Sequence, residues 1–200
     1  MPSPGPAAAA QGQRGGMSAM STQPQRFRAT MALLASGVTV VSVPDHTTGL
    51  PRGMTANAVM SVSLTPPLIV VSVRREAHLH AALQHAGAYS VTVLGEGQET
   101  QARRFAGLPV AGHEPAPVFR YHEGVPVLGG GLAWLVAALT ASHGAGDHTL
   151  FVGEVTGYGT ERPHDPPLAF HRSGFARLLP MAPGPALPPH AWEGVADVWG

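Results

Sequence analysis

The stretch RGMTANAVMSVSLTPPLIVVSV, residues 52–73, decides the fold. It opens like a turn and closes on PLIVVSV at 67–73, the strongest strand signal in the chain. Between the two stand Thr55, Asn57, Ser61, Ser63 and Thr65, where a plain core strand carries Val, Ile or aromatics. Read as one extended segment, Thr55, Asn57, Ser61 and Ser63 fall on one face with period 2. A row of short donors and acceptors beside a buried strand suits a flat heteroaromatic ligand with carbonyls and ring nitrogens along its edge. An edge strand with a Thr/Ser-rich solvent face gives the same pattern, and spacing alone does not name the ligand.

Working outward, many strands alternate with few helices. RFRATMALLASG carries Phe27, Met31 and Leu34 at helical spacing and stops at Gly37. VTVVSV at 38–43 reads as a buried strand. REAHLHAALQHAG reads as a helix closed by Gly87, AYSVTVL as a strand, and QETQARRFAG as a short helix again stopped by Gly. Short strands are expected near Phe119 and Val125. Two long strands are expected around the turn GAGD, and one last strand in PPLAFHRSGFARL. This order predicts a mainly β domain with a few helices, a barrel or sandwich rather than a doubly wound sheet. The Pro/Gly/Ala-rich residues 1–24 read as a disordered tail, 25–180 as one domain, and 181–200 as a Pro-rich tail. In that tail Trp192, Val195 and Trp199 share one face of a short amphipathic helix.

Composition narrows the function classes. Net charge is zero, and all 12 basic residues are Arg, so no broad attraction to nucleic acid or an anionic membrane is expected. The absence of Cys excludes disulfides, thiolate catalysis and Cys-zinc sites. No apolar run reaches the ~18 residues that span a bilayer, and the first residues lack the pattern of a secretory signal. A cytoplasmic protein is the default expectation. His78, His80, His85, His143 and His148 invite a metal reading, but their spacing and the lack of a carboxylate cluster give no ligand set, so no metal is expected. There is no G-x-S-x-G elbow and no strand-GxGxxG-helix context.

Several segments in order carry a resemblance. FRATMALLASGVTVVSV, GMTANAVMSVSLTPPLIVVSV, AGAYSVTVL, RRFAG, GVPVLGGGLAWLVAAL, GAGDHTLFVGEV and PLAFHRSGFARL span residues 26–179 without a large gap. Together they resemble the short-chain flavin reductases, the FMN-binding split β-barrel family of Greek-key type. That family includes the reductase components of two-component flavin monooxygenases. The resemblance implies an NAD(P)H:flavin oxidoreductase that moves hydride from nicotinamide C4 to flavin N5. FMN or FAD would be the flavin and NADH or NADPH the co-substrate. A homodimer and a flavin-dependent monooxygenase receiving reduced flavin would be the partners.

The resemblance also implies site residues. Thr55, Ala56, Asn57 and Ala58 would hold the isoalloxazine and ribityl groups, with Ser61, Val62, Ser63 and Ser72 completing the pocket. Arg104 and Phe105 would approach from the following helix, and an exposed helix Arg is the plainer reading of Arg103. His148 would serve the nicotinamide side and count as the catalytic residue. Arg172 and Phe175 would border the nucleotide site. Relatives carry a Ser-x-Thr element after the strong strand; here Ala77, His78 and Leu79 stand in its place. Phosphate binding would then fall to helix amides, Arg75 and His78. That departure leaves open a small-molecule-binding barrel without turnover, or a flavoenzyme acting on another substrate.

Overall fold

The computed structural model describes residues 22–45, 47–110, 112 and 115–179. The two predicted tails lie outside these residues except at 22–24, where helix α1 (Gln23–Met31) has begun. Its start is fixed by Thr22, whose N–H donates to Gln25 Oε1 at 2.7 Å. No residue of α1 is buried.

Strands β1 (Ser36–Gly37), β2 (Thr39–Pro44) and β3 (Pro51–Ala56) follow, then β4 (Val59–Leu64) and β5 (Pro67–Arg74). Helix α2 (His80–His85) leads to β6 (Ala88–Val93) and α3 (Glu99–Phe105). The short hairpin β7 (Phe119–His122) and β8 (Val125–Leu128) precedes the two long strands β9 (Ala133–Ala145) and β10 (His148–Thr160). A final hairpin, β11 (Leu168–His171) and β12 (Gly174–Arg177), pairs with β1.

Seven strands form one antiparallel sheet in the order β3-β2-β6-β9-β10-β5-β4. Its two edges, β3 and β4, are consecutive in the chain and joined only by Asn57 and Ala58. Two residues cannot cross a flat sheet of seven strands, so the sheet must curl until its edges meet. The seam between β3 and β4 carries no strand pairing. This is the split barrel expected from the sequence.

The sequence expectation of one continuous polar face over residues 55–63 is corrected here. The chain turns at Asn57–Ala58, which puts Thr55 on one sheet edge and Ser61 and Ser63 on the other. Ser61 pairs with Ile69 and Ser63 with Leu68, so Val62 is an extra residue, a bulge that further breaks the period. Other elements also differ from expectation. The helix expected to run to Gly37 ends at Met31, and Phe27, Met31 and Leu34, expected on one helical face, are all exposed. The helix expected over 75–87 shortens to His80–His85, because the preceding residues form turns: Arg75 N–H donates to Asp147 O and Ala77 N–H to Arg74 O. The last expected strand is a hairpin, because Arg172 and Ser173 both take left-handed φ values, 49° and 62°. Such two-residue turns usually carry Asn or Gly, and Arg-Ser gives no such signal.

The core has two parts because β2 is buried on both faces. Val41 and Val43 point into the barrel with Val71, Tyr89 and Phe151. Val38, just before β2, and Val40 face outward into a second layer with Leu94, Ala102, Leu128 and Leu168. Phe105, Phe170 and Phe175 pack on that outer layer, which thereby fixes α3 and the β11–β12 hairpin against the barrel wall. Burial also pushes the Tyr89 phenol well above its ordinary pKa.

Phe151 is fully buried, and the His80 ring meets its edge at 5.4 Å. Phe151→Ala is expected to lower unfolding stability by about 3–5 kcal/mol, measured by denaturant titration. A loss under about 1 kcal/mol would mean that the barrel interior is not packed around this ring.

Candidate active site

Where β3 ends at the seam, three elements converge: the β3–β4 link, the C-terminal turn of α3, and the β11–β12 hairpin. They enclose a cavity of about 350 Å³. Val38, Ala106, Leu108, Phe170 and Phe175 supply apolar wall, and Thr55, Asn57, Arg103 and Ser173 supply polar groups. This balance of apolar wall and few polar groups is typical of sites for organic ligands.

Each polar group has a local cause. The Thr55 hydroxyl donates to Ala102 O at 2.7 Å and so ties α3 to β3. Gly53 allows the same approach: a Cβ there would stand 2.9 Å from Phe105 Cε1. α3 stops at Gly107, which has φ of 69°, and its last carbonyls accept from the N–H groups of Ala106, Gly107 and Leu108. The link is held from both sides, since Thr39 Oγ1 donates to Ala56 O at 2.7 Å and Ser72 N–H to Ala58 O at 3.0 Å. Asn57 itself is exposed, and its amide finds no hydrogen-bond partner among the described residues. Arg103 donates through Nε to Glu99 Oε1 at 2.8 Å, and its guanidinium lies 5.5 Å from the Phe175 ring centroid.

Of the residues expected from the sequence, Thr55, Asn57 and Phe175 come together in this cavity. Ala56 and Ala58 flank Asn57 without lining the cavity, and their carbonyls accept from Thr39 Oγ1 and the Ser72 N–H. Ser61 and Ser63 are half-buried on β4, and Val62 is exposed there; none of the three lines the cavity. Ser72 serves through its backbone, beneath Ala58. Phe105 packs edge-on against Phe119 beneath α3, and Arg104 donates to Pro115 O at 2.8 Å. Arg172 is at the turn of the last hairpin, its N–H donating to Ala32 O at 2.7 Å. His78 contacts Gly53 O through Nε2 at 3.1 Å, and a guanidinium nitrogen of Arg75 lies against Gly144.

His148 stands outside the cavity wall, at the start of β10, with Nδ1 2.7 Å from Asp147 Oδ1. That hydrogen bond holds the Asp147 carboxyl below its ordinary pKa. Leu150, two residues on, pairs with Ser72, which in turn holds Ala58. His148 itself pairs with Arg74 on β5, so it stands one strand removed from β4, the strand that the link enters. Among the described residues no cluster of three or more His, Asp or Glu could hold a metal ion.

Sequence reasoning missed Val38, Ala106, Leu108, Phe170 and Ser173, which have no motif of their own. It also took Arg103 for an exposed helix Arg and placed Arg104 at the cofactor, whereas Arg103 lines the cavity; the signal that could have marked Arg103 is Glu99, four residues earlier on the helix.

Residues 31–179 match the flavin reductase like domain. The chain belongs to that family. It is 40% identical over 157 residues to an NADH-dependent flavin reductase of a Rhodococcus species, covering 78% of this chain and 86% of the relative. It is equally 40% identical over 157 residues to the reductase component of 4-hydroxyphenylacetate 3-monooxygenase from Thermus thermophilus, covering 78% and 97%. The solved structure of the flavin reductase PheA2 superposes with a TM-score of 0.73 at 34% identity, covering 80% of this chain and all of that one. Within the family's barrel, the cavity at the β3–β4 link has a donor set that fits a flavin. An unpartnered amide carries both donors and an acceptor, as the alternating carbonyl and N–H edge of the ring requires, and two aromatic rings line the same cavity.

Thr55→Val keeps the shape and removes the hydroxyl. It is expected to lower stability by about 0.5–1.5 kcal/mol and to weaken flavin binding as α3 loosens, read by thermal melting and fluorescence titration. Unchanged flavin affinity would show that the position of α3 does not matter to the site.

Proposed function

We propose that this chain is an NADH-dependent flavin reductase that binds its flavin in the cavity at the β3–β4 link. The observation that carries the site is the Asn57 amide, unpartnered among the described residues, at the mouth of a cavity lined by Phe170 and Phe175. The relatives named for NADH and for service to a monooxygenase support the reaction and its destination. When bound, the flavin supplies the hydride acceptor, taking hydride from nicotinamide C4.

The protein's part is positional and electrostatic. No strong acid or base is required, because the cofactors carry the chemistry. Asn57, on the link held by Thr39 and Ser72, orients the polar edge of the ring. Val38, Leu108, Phe170 and Phe175 exclude water from its faces, which strengthens every polar contact made there. Thr55 and Gly53 hold α3 in place. Holding two reactants in register is itself a large part of such catalysis. His148, its ring oriented by Asp147, serves the dinucleotide from the neighbouring strands.

A homodimer is part of this reading. Met60, Val62 and Leu64 are 62%, 50% and 48% exposed on β4, an edge strand of the large sheet. An apolar row on an unpaired edge favours association with a second copy. A monooxygenase would receive the reduced flavin, a destination supported by the relative named as a monooxygenase reductase component. No helix among the described residues is long and apolar enough to cross a membrane.

Asn57→Ala is expected to weaken flavin binding roughly tenfold, seen as a raised flavin KM with the dinucleotide KM unchanged. His148→Ala is expected to do the reverse in the same steady-state assay. A His148→Ala effect confined to flavin would contradict its assignment. For the dimer, Val62→Glu is expected to yield a monomer in light-scattering chromatography, whereas an unaltered mass would place the interface elsewhere.

A further inference from the structure

In the turn after β5, residues 75–79, the groups expected from the sequence to meet a flavin phosphate are engaged within the protein itself. Leu79 is fully buried and Ala77 packs against the same barrel core, so neither side chain faces a ligand. The Arg75 N–H donates to Asp147 O, and the Ala77 N–H to Arg74 O. The Arg75 guanidinium lies against Gly144, where a Cβ would stand 2.9 Å from it. His78 turns its Nε2 to Gly53 O, 3.1 Å away on the seam strand β3. Arg52 in turn donates to His78 O at 3.1 Å. Helix α2 follows with only six residues, too short to present an anion site at its start.

The cavity gives a phosphate no better anchor. Arg103 lines it, but Nε and a terminal nitrogen both donate to Glu99 Oε1 at 2.8 Å. It also stands in the last turn of α3, the negative end of the helix. Arg104 donates to Pro115 O. Arg172 is exposed at the turn beside Ser173, and an ion pair made in open water contributes little. The group that does face the cavity without a partner among the described residues is the Asn57 amide, which suits the edge of a ring. At about 350 Å³ the cavity is near the small end of the usual ~300–1,000 Å³ for ligand sites, with room for a tricyclic ring rather than a whole dinucleotide.

We propose that this chain selects its flavin by the ring alone, and leaves the 5′-phosphate and whatever is attached to it in water. The substrate class is then the isoalloxazines that carry a ribityl chain, with riboflavin, FMN and FAD taken on nearly equal terms. This rests on the cavity being the flavin site. Without a charged anchor on the tail, neither the oxidised nor the reduced flavin is retained by it. That is in keeping with a flavin that enters free and has to leave for a second protein.

The test is an equilibrium titration of the purified full chain with riboflavin, FMN and FAD, following flavin fluorescence at low and at physiological salt. The three dissociation constants are expected to agree within about fivefold, with the spread narrowing as salt rises. Asn57→Ala is expected to weaken all three by the same factor, roughly tenfold. His78→Ala and Arg172→Ala are each expected to change the ratio of FMN to riboflavin affinity by less than about fivefold; that ratio cancels any general loosening of the fold. FMN or FAD binding tighter than riboflavin by roughly tenfold or more, the mark of a charge-assisted phosphate contact, overturns the proposal and leaves the flavin site standing. Protein that binds none of the three overturns the flavin site itself, and this assignment with it.

Discussion

The structure depends on a two-residue link. Asn57 and Ala58 connect the opposite edges of a seven-stranded sheet, and this connection forces the sheet to close. Closure leaves a seam where β3 and β4 share no ladder. Backbone that a ladder would normally satisfy must find other partners, and it does: the Thr39 hydroxyl meets Ala56 O and the Ser72 amide meets Ala58 O. The seam is thus met by Thr39 and the Ser72 main chain, while Thr55, from the polar row seen in the sequence, ties α3 to β3. Thr39 and Thr55 hold the structure, while the Asn57 amide has no hydrogen-bond partner among the described residues and lines the cavity.

The second constraint is that β2 is buried on both faces. One face closes the barrel interior; the other carries α3 and the last hairpin. Because these outer elements rest on β2, the neighbour of the seam strand β3, the cavity between them is built against the barrel wall. The site is therefore framed by the sheet, with α3 and one turn completing it. Gly53 and Thr55 set how close α3 can come. Arg103, Ala106 and Leu108 follow from that distance.

Strand identities and their order were legible in the sequence, because β-branched runs bounded by Gly and Pro leave few alternatives. The family's motifs extended that to the barrel and its chemistry. The register was not legible. A period-2 reading assumes a continuous strand, and neither the turn at Asn57–Ala58 nor the bulge at Val62 has a local signal strong enough to break it. The hairpin at Arg172–Ser173 was hidden for a related reason: its left-handed residues are neither Asn nor Gly, so only packing reveals the turn. Within RRFAG the two arginines are indistinguishable by motif. Tertiary placement separates them, sending Arg104 to Pro115 O and Arg103 to the cavity.

The account stands on one location, the cavity between the β3–β4 link, α3 and the last hairpin. A crystal structure of the protein soaked with FMN tests it most directly. Electron density for the tricyclic ring between Asn57 and Phe175 is the predicted result. A ring lodged on any other surface, with this cavity filled only by water, would contradict it.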